Sequence, residues 1–239
     1  MPAEVDEIWL GKHTRREFRQ RMQSGQLQGA ILPVAAIEQH LEHLSMEHDW
    51  RSVNEIAARV ARRLAPRVLV AQGLMAGISE HHMRHPGTLS LRPGSFLAAL
   101  ADLIDSLVRA GFKNILVLNG HGGNVAPCRG IWGQFLQITE INLQFVSYWE
   151  TIDHDEARSA MRTDDVPGHA QEFETAIALA AFPENVRTAM WTDQADQAPA
   201  QATPATGERL LEMCVAGVER YLREMLDGTR IAEIPPFMP

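Results

Sequence analysis

Gly94–Asn124 reads GSFLAALADLIDSLVRAGFKNILVLNGHGGN. The Gly-Ser opening is a helix-start signal, and FLAALADLIDSLVRA has the spacing of a strongly amphipathic helix over 94–110. Gly111 ends it. The short apolar run Asn114–Leu118 then reads as a strand. A glycine-rich turn follows, and 125–139 reads as the next helix. Helix, strand, turn and helix in this order are one repeat of an α/β fold.

The same alternation extends outward in both directions. Residues 13–24 read as a polar surface helix and 29–37 (GAILPVAAI) as a buried strand. Val53, Ile56, Ala57, Val60 and Leu64 give 51–64 helical spacing. Pro66 stops that helix, and 67–71 (RVLVA) reads as a strand. Further on, 142–149 reads as a strand, and 169–181 and 207–227 as helices. Strands separated by helices of ten or more residues predict an α/β fold whose mainly parallel sheet is covered on both faces. The stretch 194–206 (QADQAPAQATPAT) reads as a loop, so 1–239 is expected to form one domain.

Composition narrows the classes of function. The chain carries a net charge of −8, which argues against nucleic acid as a partner. No apolar run approaches the ~18 residues of a membrane span. The start, MPAEVDEIWLGK, lacks the basic and apolar regions of a leader, so a cytoplasmic location is expected. Cys128 and Cys214 do not suggest a disulfide framework and read as buried small residues. Nine of the 10 histidines lie between His40 and His169, a hint of metal binding or proton transfer.

In open α/β sheets, ligands bind beyond the carboxyl ends of the strands. The polar clusters fall there: IEQHLEHLSMEHD after the first strand, GISEHHMRHPGT after the second, NGHGGN after the third, and PGHAQEFET beyond the fourth. Glu38 and His40, two apart in an extended segment, project to one side and suit one or two metal ions. Asp49 is far enough along to return across the loop and bridge two ions. Glu-x-His alone is a weak signal, and a solvated loop is the plain alternative. In the third loop, His121 is the only central side chain able to bind a metal. The glycines around it permit close approach of the main chain. A phosphate-binding turn competes, but neither G-x-x-x-x-G-K-[ST] nor G-x-G-x-x-G is present. Ser79, Glu80, His81, His82 and His85 are too crowded to assign. His169 opens the helix 169–181; Glu172 and Glu174 follow in its first turns, where a role at the helix dipole is an equal alternative.

These motifs together resemble the creatininase family. The match runs through Pro33-Val34, Ile37-Glu38-Gln39-His40, His43-Leu44, Asp49, His85-Pro86-Gly87-Thr88, Asn119–Asn124, His169-Ala170, Glu172 and Glu174-Thr175, in family order from about 30 to 180. The family includes creatinine amidohydrolase, enzymes opening other small cyclic or formylated amides, and a branch that processes a peptide-derived redox cofactor. The resemblance implies a three-layer α/β/α domain, often a hexamer, with two divalent ions: zinc, with manganese or iron as options at one site. It implies that Glu38 and His121 bind one ion and His40 the other, with Asp49 bridging. Creatininase takes its last ligand from a glutamate in the turn, where this chain has Gly123. Glu174 is the expected replacement, with Glu172 in reserve. Leu41-Glu42 replace the usual Gly-Pro. Gly122 replaces an aromatic, Gln171 a glycine and Ala176 a serine. These changes touch the substrate pocket and make creatinine a doubtful substrate.

The expected activity is hydrolysis of a C–N bond in a small cyclic or formyl-type amide by a metal-activated water. His169 is the expected proton donor to the leaving nitrogen, with Glu172 orienting it or shuttling the proton. Ser79, Gly122 and Gly123 are the expected substrate contacts, the glycine-turn amides facing an oxyanion. Two other readings compete: a two-metal hydrolase of phosphoesters or other esters, and a non-catalytic, metal-stabilised binding protein. Only Arg84, Arg92 and Arg129 lie near the motifs, which weakens the phosphoester reading.

Overall fold

The computed structural model describes residues 7–191 and 193–236. Four parallel strands lie in the order β2-β1-β3-β4: β1 Gly29–Val34, β2 Val68–Val70, β3 Asn114–Asn119 and β4 Asn142–Ser147. The helices are α1 Arg15–Gln23, α2 His48–Arg63, α3 Pro93–Arg109, α4 Gly122–Thr139, α5 His154–Ala160, α6 Glu172–Ala181 and α7 Pro204–Leu226. Strand side chains alternate between two cores. Ile31, Val68, Val70, Leu116, Leu118 and Val146 face α2, α6 and α7. Ala30, Leu32, Leu69, Ile115, Val117 and Leu143 face α3 and α4. This is the three-layer α/β/α arrangement. Each fully buried Leu, Ile or Val contributes ~1.5–3 kcal/mol toward it.

Local chemistry sets the helix bounds. Thr14 and Glu17 form a reciprocal capping box at α1. On α3, Phe96, Leu100, Ile104 and Leu107 form the buried stripe that the sequence spacing predicts. The chain runs from β1 to β2 on one side, then crosses to β3 on the other side of β1. The gap between the carboxyl ends of β1 and β3 is therefore the switch point, where α/β folds bind ligands.

The structure shortens some expected elements and adds one. β1 stops at Val34, because Ala35 donates its N–H to Leu74 O and the chain leaves the ladder. β4 stops at Ser147, where Glu150 caps the turn Tyr148–Thr151. α2 begins at His48, placing Asp49 in its first turn. α6 begins at Glu172, so His169 precedes it. The short helix α5, started by Asp153, has no counterpart in the sequence reading.

Candidate metal centre

Glu38 and His40 lie on the loop that leaves β1, Asp49 lies in the first turn of α2, His121 immediately precedes α4 and Glu174 lies in the first turn of α6. All five side chains are buried. Asp49 stands between the imidazoles: Oδ1 is 3.0 Å from His40 Nε2, and Oδ2 is 3.0 Å from His121 Nδ1. Glu38 Oε1 lies 3.4 Å from the same His121 nitrogen. Glu174 Oε2 lies 3.9 Å from His40 Nε2. The sequence-expected candidates thus fall into two sets sharing Asp49.

The surroundings fix which ring nitrogen faces inward. His40 Nδ1 donates to Glu38 O and His121 Nε2 donates to Ile78 O, each at 3.0 Å. In the neutral rings, the lone pairs of His40 Nε2 and His121 Nδ1 therefore face carboxylate oxygens. Acceptors facing one another in a buried site need a cation or a proton between them. Asp49 Oδ2, buried and without a hydrogen-bond partner, makes the same point. Three carboxylates and two imidazoles fit divalent first-row ions. Protons satisfy the cluster otherwise. Burial opposes charge on both imidazoles, but Asp49 outweighs it at His40, raising that ring to about 9. At His121, Asp49 and Glu38 together raise the ring to about 10. Burial also opposes ionisation of Asp49 and Glu38, yet the facing imidazoles hold both below the usual carboxylate range. Glu174 goes the other way: burial pushes it up to about 8.

The NGHGGN turn is tied to its neighbours by both asparagines. Asn119 Oδ1 accepts from His121 N at 3.2 Å, and Asn124 Oδ1 accepts from Ile78 N at 2.9 Å. At Gly123, a Cβ would lie 2.1 Å from Ile78 O and 2.5 Å from His121 Nε2. No side chain fits there, so no ligand comes from that position.

A cavity of about 320 Å³ opens over the cluster. Glu38, Asp49, His121, Gly122, Gly123, His169 and Glu174 are among the residues that line it. Three candidates are not part of its lining: His40, Ser79 and Glu172. Ser79 is fully buried, and its hydroxyl donates to Glu38 Oε2. It holds a ligand candidate from behind and is not part of the cavity lining. Glu172 accepts from Arg162 N at 2.9 Å and Thr163 N at 2.7 Å. Its carboxylate fastens the loop before His169. The sequence reading missed Trp149 and Pro167-Gly168 on the cavity wall and gave no role to His81 and His82, which also line it. Trp149 and Pro167 carry no metal-ligand or acid–base signal in the sequence.

A parallel sheet with a carboxylate–imidazole cluster at its switch point defines a class: α/β proteins with a candidate binuclear metal centre. Residues 12–201 match the family model described as "Creatininase: Creatinine amidohydrolase", and the chain belongs to the creatininase family. It is 26% identical to creatinine amidohydrolase of Pseudomonas putida, over 93% of this chain and 98% of that protein. It is 28% identical to 3-dehydro-scyllo-inosose hydrolase of Thermotoga maritima, over 74% of this chain but only 57% of that protein. It is 27% identical to mycofactocin precursor peptide peptidase of Mycobacterium ulcerans, over 66% of this chain and 60% of that protein. A solved mutant creatininase of Zn-Zn type superposes with a TM-score of 0.78 at 25% identity, covering 91% of this chain and 98% of that one. The named relatives are hydrolases, and the family activity is of amidohydrolase type.

Proposed function

We propose that the protein is a metal-dependent amidohydrolase that cleaves a C–N bond in a small cyclic or formyl-type amide. The observation that carries this is Asp49, whose two oxygens each stand 3.0 Å from a different imidazole. Glu38, Asp49 and His121 hold one divalent ion, and His40, Asp49 and Glu174 the other; zinc suits both, with manganese or iron as options at one. Such ions acidify bound water to a pKa of ~7 and polarise a carbonyl. Ser79 orients Glu38, and Glu172 anchors the loop bearing Pro167 and Gly168. Gly122 and Gly123 leave the cavity floor open to a substrate oxygen. His169 faces the substrate as a proton-bearing group, kept neutral because burial and nearby His40 bring it down to about 4.

The cavity matches the lower end of small-molecule sites, ~300–1,000 Å³. Similarity to a peptide peptidase favours a second substrate class, a short peptide whose end enters the same cavity. Among the described residues, no helix is long and apolar enough to cross a membrane. We place the protein in the cytoplasm as a homo-oligomer, a hexamer by family resemblance. Exposed Met46, Met75, Met83 and Leu89 support such an assembly. The test is hydrolysis of cyclic amides, formamides, short peptides, lactones and phosphate esters by zinc- and manganese-loaded protein. Turnover of a C–N substrate that is lost in Asp49→Asn supports the reading. Turnover of phosphate esters alone, or none at full metal occupancy, refutes it.

A further inference from the structure

Gln39 sits between two ligand candidates in sequence, yet its side chain takes no part in the cluster. Its amide orientation is set by Leu41, whose N–H donates to Gln39 Oε1 at 3.0 Å. The other amide atom is then the NH2 group, which has two hydrogens to give and accepts none. That nitrogen lies 2.9 Å from His82 Nδ1 and 2.8 Å from His169 Nε2. It donates one hydrogen to each ring, so both of those ring nitrogens are bare. A neutral imidazole has one N–H and one lone pair. The hydrogens therefore sit on His82 Nε2 and His169 Nδ1. Each of these atoms lies 3.7 Å from Glu38 Oε1. The two rings are stacked, with centroids 4.5 Å apart and planes 18° from parallel, and both line the cavity.

By residue type, Glu38, His82 and His169 look like a further cation site, and their ligand atoms lie within 4.8 Å of one another. The hydrogen-bond direction reverses that reading, because hydrogens and not lone pairs face Glu38. Burial pushes both rings below the usual histidine range, in keeping with neutral imidazoles. Converging neutral donors beside a metal centre suit an oxygen that gains negative charge during reaction.

We propose that Gln39 is a positioning residue that locks His82 and His169 into a two-donor cradle for the carbonyl oxygen of the scissile amide or formyl group. The cradle's use rests on the amidohydrolase reading; the tautomers that form it do not. The test uses the full-length, zinc-loaded protein with nitrogen-15 histidine. Long-range proton–nitrogen correlation spectra are assigned by the signals lost in His82→Asn and His169→Asn. The expected result is a hydrogen on His82 Nε2 and on His169 Nδ1. Gln39→Glu replaces the two donors with acceptors, so both rings are expected to switch to the opposite tautomer. Gln39→Leu serves if that variant folds poorly; it removes both donors, and both rings are expected to show averaged tautomer signals. A hydrogen on His82 Nδ1 or His169 Nε2 in the unmodified protein overturns the proposal, as do tautomers unmoved in the Gln39 variants. The expected tautomers in a protein that hydrolyses no amide keep the donor pair and sink the amidohydrolase reading. Amide hydrolysis with reversed tautomers does the opposite.

Discussion

Metal binding to this protein should release protons, and the number follows from the site. Burial disfavours charge on His40 and His121, but Asp49 outweighs it at the first, and Asp49 with Glu38 at the second. The rings sit at about 9 and about 10 in the metal-free protein. Both are therefore protonated at neutral pH, and each must lose its proton to bind an ion. Glu174, raised to about 8 by burial, is protonated there as well. Each displaced proton raises the apparent affinity about tenfold per pH unit. Filling both sites should thus strengthen about 100-fold per pH unit from the imidazoles alone, and about 1,000-fold where Glu174 also loses its proton. Calorimetric titration with zinc in buffers of differing ionisation enthalpy counts the protons, and chelator competition at several pH values measures the slope. About two to three protons should leave per pair of ions. Affinity independent of pH, with no proton released, would refute the placement of these two imidazoles as ligands.

Other substitutions and conditions test separate parts of the centre. Gly123→Ala forces a Cβ to 2.1 Å from Ile78 O and should cost about 1–3 kcal/mol or more in urea unfolding. Gly122→Ala meets nothing within 4 Å and serves as its neutral control; equal stability of the two variants would contradict the geometry. Ser79→Ala takes the hydroxyl from Glu38 Oε2 and should weaken metal binding about 10–100-fold with the fold retained. Unchanged affinity in chelator competition would remove Ser79 from the site. The metal-free protein should lose thermal stability as the pH rises. His40 and His121 bind protons more tightly folded than unfolded, so their contribution is complete below about 6.5 and is lost as pH rises through about 9–10. A melting temperature that climbs over that range would be the wrong sign.

Much of the fold was legible because periodicity survives folding. The stripe on α3 and the apolar run of β3 could belong only to a helix and a buried strand. The boundaries were harder: β1 ends at Val34 because Leu74 draws Ala35 out of the ladder, and nothing in VAAI marks that departure. In the site, Glu38, His40, Asp49 and His121 stood out by residue type, spacing and resemblance. Glu174 was the expected substitute once Gly123 was seen in the glutamate's place, and the structure adds the steric reason. Ser79 and Glu172 were harder, because direction was needed. A serine beside a histidine cluster reads equally as a substrate contact or a support, and the hydrogen bond to Glu38 that favours a support appears only in three dimensions. Glu172 and Glu174 are two apart on one helix turn, yet one faces the centre and the other the loop amides at Arg162 and Thr163. Gln39 carried no metal-ligand signal, since its effect depends on an amide orientation that Leu41 sets.

The most direct measurement is a crystal structure of the zinc-soaked protein with anomalous data collected on both sides of the metal edge. The account predicts two ions over the cavity floor, one held by Glu38 and His121, the other by His40 and Glu174, with one oxygen of Asp49 on each. A single ion, or a pair in which Asp49 touches only one, would contradict it.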